Sequence, residues 1–205
     1  MKKPIRRSAT LAWSCLIVLF LVSCASTSYI GIDYRLPPAA GSLQGKTIFI
    51  QVSDRRTPVQ TLAPSAREDF EHFTGLFSLS VEKTGQKPII VGAYDVPALF
   101  QTAFTQRLEQ LGAVVAKAAG GGAIPIDIGI EEFVLERKGR QYLARLSYSA
   151  TLVHPAGKSV TKTVSGSAER IKITGKRDME TLLGEIFTDM VNRLDVSGLV
   201  SEGGY

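Results

Sequence analysis

Few side chains in this 205-residue sequence are of types that do chemistry, and their spacing limits what that chemistry can be. Cys15 and Cys24 are its two cysteines, and His72 and His154 its two histidines. A thiol can be acylated, oxidised or coordinated to a metal, but neither histidine falls in a pattern of cysteines and carboxylates at metal-ligand spacing. Glu131 and Glu132 are adjacent on a strand-like segment, which should send them to opposite faces and not form a carboxylate pair for acid–base work. Gly120-Gly121-Gly122 has the flexibility to cradle phosphate. No Lys-Ser/Thr follows it and the next segment is strand-like, so it should be a loop. No nucleophile elbow is present. The sequence therefore predicts a protein without catalytic residues, metal or cofactor, and a hydrolase with a site of unrecognised type is the alternative from another class.

Cys24 is the residue with a definite chemistry. Lys2, Lys3, Arg6 and Arg7 precede an apolar run from Leu11 to Val22, which is the charged and then apolar pattern of an export signal. The run is shorter than the roughly 20 residues needed to span a bilayer, and polar Ser26, Thr27 and Ser28 follow. Leu21-Val22-Ser23-Cys24 resembles the lipobox of bacterial lipoproteins, in which the cysteine thiol receives diacylglycerol, the chain is cut before it, and the new amine is acylated. Ala12-Trp13-Ser14 before Cys15 is a poor match. Cleavage would leave Cys24 as the single mature cysteine, an unpaired thiol that acylation accounts for. Stable anchoring takes two lipid chains, and three exceed that. Ala25 and Ser26 stand where retention in the inner membrane usually wants Asp, so the expected location is the outer membrane, facing the periplasm.

Charge has to be counted without that signal. The chain carries 24 Lys+Arg and 19 Asp+Glu, a formal net charge of +5. Four of the positive residues leave with residues 1–23, so the mature protein is close to +1 and the basicity is mostly the export tag. Nothing points to nucleic acid, whose recognition needs a clustered basic patch. With 44% hydrophobic residues the remainder can bury one core.

The elements that would carry a site follow from periodicity. Residues 24–42 read as a flexible tether, with Pro37-Pro38 and Gly41-Ser42 as breakers, although Tyr29, Ile30, Ile32, Tyr34 and Leu36 add apolar character. Ile48, Ile50 and Val52 share one face of a central strand. An excursion at 55–94 follows, in which Ser65-Ala66-Arg67-Glu68 suggests a capping box and residues 76–81 and 88–91 suggest two short strands. Asp95 should cap a helix carrying Val96, Leu99, Phe100, Phe104, Leu108 and Leu111, ended by Gly112. Residues 113–116 return as a strand beside the first, a strand-helix-strand unit of the right-handed kind. Residues 124–168 read as an antiparallel meander with one dry face and one wetter face, and the change of phase between Ile130 and Phe133 suggests a bulge or a two-sided strand end. Asp178 should cap a last helix with a broad apolar stripe from Met179 to Leu194. The prediction is α+β: a single small domain at 43–200 that folds alone, built on a mixed sheet of about five strands with two helices on one face, and a disordered tail at 201–205.

This order of elements, with Leu43-Gln44-Gly45-Lys46 leading into Ile48-Phe49-Ile50 and Asp54-Arg55-Arg56, resembles the YajG-type bacterial lipoproteins over roughly residues 42–200. It also resembles in outline the auxiliary lipoproteins of ABC-type lipid transport systems. The resemblance implies a lipid-anchored envelope protein and carries over no functional residue except Cys24. The function expected is a non-catalytic binding or assembly module, attached to the membrane through its N-terminal lipid and acting with an envelope protein partner. Phe70, Phe73 and Phe77 lie in the weakly periodic excursion and are the candidate partner-binding residues, since loops on a rigid scaffold often carry function. The competing reading makes these aromatics core.

Overall fold

The computed structural model describes residues 28–154, 157 and 159–205; Cys24 and the export signal lie outside the described residues. Apolar alternation and helical stripes sort the chain into eight strands and four α-helices among those residues. In order they are β1 (Ser28–Arg35), β2 (Thr47–Asp54), α1 (Pro64–Arg67), β3 (Phe73–Glu82), β4 (Ile89–Tyr94), α2 (Val96–Gln110), β5 (Val114–Ala116), β6 (Ile124–Lys138), β7 (Gln141–Val153), β8 (Ser159–Ile171), α3 (Lys176–Arg193) and α4 (Val196–Glu202). The fold is α+β, as the periodicity predicts.

Five strands form one sheet in the order β5-β2-β6-β7-β8, with β2 parallel to β5 and β6 and the last three antiparallel. Its buried face carries Ile48, Ile50, Ile126, Ile128, Phe133, Tyr148 and Leu152. The expected bulge is present between Ile130 and Glu132 on β6. It shifts the phase, so that even-numbered residues point inward before it and odd-numbered ones after it. Asp95 caps α2 as expected, its Oδ1 accepting from the Ala98 amide at 2.9 Å.

Three expectations are corrected. Residues 28–35 are not a tether but a strand, with Ile30, Ile32 and Tyr34 fully buried. Alternation of Ile30, Ile32, Tyr34 and Leu36 satisfies one face of a sheet, and β1 pairs in parallel with β3, which pairs antiparallel with β4, in a second sheet of order β1-β3-β4. The 201–205 tail is likewise structured: Ser201 and Glu202 continue α4, and Tyr205 stacks on His154 with ring centroids 4.9 Å apart. Caps differ too. Ala63, not Ser65, precedes α1, while Ser65 Oγ accepts from the Arg137 amide. Gly175, at φ 74°, is the N-cap of α3, a left-handed position glycine takes at little cost. Asp178 sits at the third helical position and its Oδ2 accepts from the amides of Ile173 and Gly175.

The helix α3 runs along β1 and seals that strand's outer edge. Glu180 Oε1 accepts from the Gly31 amide at 2.8 Å, Thr188 Oγ1 both accepts from the Arg35 amide and donates to the Asp33 carbonyl, and Asn192 Nδ2 donates to the Arg35 carbonyl at 2.8 Å. Side chains thus occupy the ladder positions a further strand would take. The approach depends on Gly184, where a Cβ would lie 3.1 Å from the Asp33 backbone N and O. At the centre, Tyr34 of β1, Phe77 of β3, Phe100 and Phe104 of α2, Phe133 of β6, Tyr148 of β7 and Phe187 of α3 meet edge to face or tilted at 5.1–6.4 Å. Buried Arg107 of α2 donates from Nη1 to the Val191 carbonyl and from Nη2 to the Leu194 carbonyl, which satisfies the end of α3.

Candidate partner-binding surface

Arg56 positions the walls of two neighbouring concavities. Its guanidinium is almost fully buried and forks onto Asp54, Nε to Oδ1 and Nη2 to Oδ2 at 2.8 Å each, while Nη1 donates to Thr61 Oγ1 at 2.9 Å. This bidentate pair holds the Asp54 carboxyl below its ordinary value. It also pins the 54–61 segment into a ridge between the two grooves.

On one side of the ridge a half-open groove of about 540 Å³ is lined by Val59, Arg67, Phe70, Phe73, Asp95 and Pro97. Arg67 is tied to Gln60 Oε1 at 2.9 Å. The three aromatic candidates divide here. Phe73 is half-buried in the groove wall, Phe70 forms its floor with 5% of its surface exposed, and Phe77 has none exposed. Phe77 packs on Phe73 at 5.2 Å and on Phe133 at 5.5 Å. The structure therefore corrects the assignment of Phe77 to a binding surface: it lies on the inward face of β3 and is core, Phe70 is nearly so, and Phe73 alone presents substantial area.

On the other side lies a groove of about 490 Å³ lined by Glu131, Glu132, Glu136, Arg145 and Ser147. The bulge places Glu131 and Glu132 together on this outer face, against the expectation of opposite faces, because the extra residue breaks the alternation. They do not make an acid–base pair. Arg145 donates to Glu132 at 2.6 Å and to Glu136 at 2.7 Å, and the second bond holds the Glu136 carboxyl below its ordinary value. Glu131 accepts from Ser147 Oγ at 3.4 Å. No group of three or more His, Cys, Asp or Glu side chains among the described residues could hold a metal ion. His72 is exposed after α1, far in the fold from His154 beside the C-terminus.

A run of exposed apolar residues lies elsewhere, on β4. Ile89, Ile90 and Val91 are 64%, 73% and 41% exposed. Consecutive strand residues point to opposite faces, so both faces of this edge strand are open where it begins. The register with β3 slips at Val91, and Tyr94 Oη donates to the Val91 carbonyl at 3.3 Å. Sequence reasoning takes such an apolar run for a short strand but has no means of telling a buried one from an exposed one.

No protein-family model and no curated protein matches the chain. Solved structures do. A Xanthomonas campestris protein described by the family model DUF330 superposes with a TM-score of 0.52 at 12% identity, over 85% of this chain and 99% of that one. This likeness is one of fold. The hypothetical protein CT253 of Chlamydia trachomatis scores 0.46 at 12% identity, over 78% of this chain and 99% of that one. Rare lipoprotein B of Shewanella oneidensis scores 0.41 at 11% identity, over 75% and 96%.

Proposed function

We propose that the protein is a non-catalytic binding or assembly module of the bacterial envelope, of the YajG-type lipoprotein kind. In this reading lipid on Cys24 holds it at the outer membrane, facing the periplasm, and the free edge of β4 takes an envelope protein partner. The exposed run Ile89-Ile90-Val91 carries the binding part of this reading. An uncovered apolar edge strand is a template for pairing, and strand addition supplies affinity through main-chain bonds while side chains on alternate faces add specificity. The opposite edge of the same sheet is sealed by α3, so β4 is the side on which the three-stranded sheet can grow. Anchoring rests on Leu21-Val22-Ser23-Cys24. No helix among the described residues is long and apolar enough to cross a membrane.

A photo-crosslinking residue placed at Ile90 in intact cells should capture a discrete partner, and the same residue at Thr163 on β8 should not. With the crosslinker kept at position 90, an Ile89→Lys, Val91→Lys variant should lose that capture with its unfolding midpoint nearly unchanged. Equal capture from both positions would refute binding at β4. If the captured protein is a permease or substrate-binding component, the transport auxiliary role is the specific form of this function.

A further inference from the structure

We infer that one end of the domain is itself a membrane-docking face, in which Ile171 and Ile173 enter the headgroup layer and Arg140, Lys176 and Arg177 meet anionic lipid headgroups. The inference rests on the proposed acylation of Cys24. The first described residue, Ser28, opens β1 and stands four residues past Cys24. Four residues reach at most about 14 Å even when fully extended, and the headgroup layer of one leaflet takes roughly 6 Å of that. An anchored domain therefore has no room to stand off. Whatever surface surrounds Ser28 lies against the bilayer.

That surface is defined by contacts. Lys176 Nζ donates to the Tyr29 carbonyl at 2.8 Å, which puts the start of α3 beside the start of β1. The β8–α3 loop leads directly into α3, and the Lys172 amide donates to the Arg140 carbonyl at 2.8 Å, so the β6–β7 turn lies at the same end. Ile173 is 82% exposed, more than any other large apolar residue among those described, and Ile171 is 57% exposed. Exposed Arg140, Lys176 and Arg177 flank them, and half-exposed Tyr29 sits at the exit of the chain. Apolar residues ringed by basic ones, with an aromatic at the boundary, form the pattern of an interfacial surface. Of the nearby carboxylates, Glu180 lies 3.7 Å from Lys176, exposed Glu68 is paired with Arg137 at 2.6 Å, and Glu71 is exposed beside Phe73, so the basic residues outnumber the unpaired acidic ones at this end. Asp178 is turned onto the Ile173 and Gly175 amides, and Asp69 is bound by Lys172 at 2.6 Å and Arg137 at 3.2 Å. The parallel run of β1 and α3 leaves the start of β4, paired with Val81 near the far end of β3, at the opposite end of the molecule. The lipid face and the β4 edge are thus turned away from each other.

The test uses the full lipidated protein in vesicles of phosphatidylethanolamine and phosphatidylglycerol containing a nitroxide on the lipid acyl chain. A thiol-reactive fluorophore is attached to Ile173→Cys or, for comparison, to Ile90→Cys, and mass spectrometry of the same samples reads the state of Cys24. The fluorophore at 173 should be quenched several-fold more than at 90, and Arg140→Glu with Arg177→Glu should reduce that difference. Triacylated Cys24 with equal quenching at both positions overturns the docking face and leaves anchoring intact. An unmodified Cys24 removes the anchoring reading and this inference with it.

Discussion

At the scale of single residues, the buried and half-buried polar groups are where substitution is most informative. Asp54 is held below its ordinary value, near 3.8, first by its hydrogen bonds from Arg56. A depressed carboxyl stabilises the fold at pH above that ordinary value and loses its contribution as pH falls through the lower, folded value. Asp54→Asn should therefore be less stable than the wild type at pH 7, with the gap closing below about pH 4; urea unfolding across pH 3 to 7 reads this out, and a gap independent of pH would contradict it. Arg107 is a different case. Burial lowers its pKa, yet its guanidinium satisfies the Val191 and Leu194 carbonyls. Because hydrogen bonds to charged groups are worth about 1.5 to 3 kcal/mol each, Arg107→Met should cost about 3 kcal/mol. Phe77→Ala should cost about 3 to 5 kcal/mol as a buried aromatic, and Phe73→Ala clearly less. Equal losses at the two phenylalanines would mean that Phe73 is as much a part of the core as Phe77.

At the scale of elements, the contact between α3 and β1 is the arrangement most dependent on one residue. The neighbour that a Cβ at position 184 would meet is the Asp33 backbone, which cannot rotate aside as a long side chain can. Gly184→Val should therefore displace α3 from β1 and cost about 1 to 3 kcal/mol or more, as overpacking does. Hydrogen exchange localises the effect: the Gly31 and Arg35 amides, bonded to Glu180 and Thr188, should lose protection first. Uniform loss of protection over the molecule would indicate that the two elements do not open separately.

For the whole molecule, the decisive question is where the domain begins. Ile30, Ile32, Tyr34 and Leu36 are buried, and burial of each such side chain contributes about 1.5 to 3 kcal/mol. Together that matches a typical net stability of about 5 to 15 kcal/mol. A fragment of residues 28–205 should unfold cooperatively, whereas 43–200, the boundary expected from composition, should not; differential scanning calorimetry of the two distinguishes them. Removal of residues 28–42 would also take away the partner of β3, leaving Phe77 and Leu79 on an unsupported hairpin.

Local patterns alone determined the individual strands of the five-stranded sheet, the helix from Val96 and the phase change after Ile130. Alternation and helical stripes are properties of neighbours in the chain, and the residues that bury against them are interchangeable hydrophobes. The Cys24 motif is local for the same reason. Tertiary structure decided the rest. Whether Ile30-Gly31-Ile32 is a leash or a strand depends on β3, some forty residues later, offering its edge, and on Gly184 letting α3 close over the other side. Whether Phe77 or Ile90 faces solvent depends on which strand ended up against the core and which at the margin, a choice of pairing that no short stretch of sequence encodes.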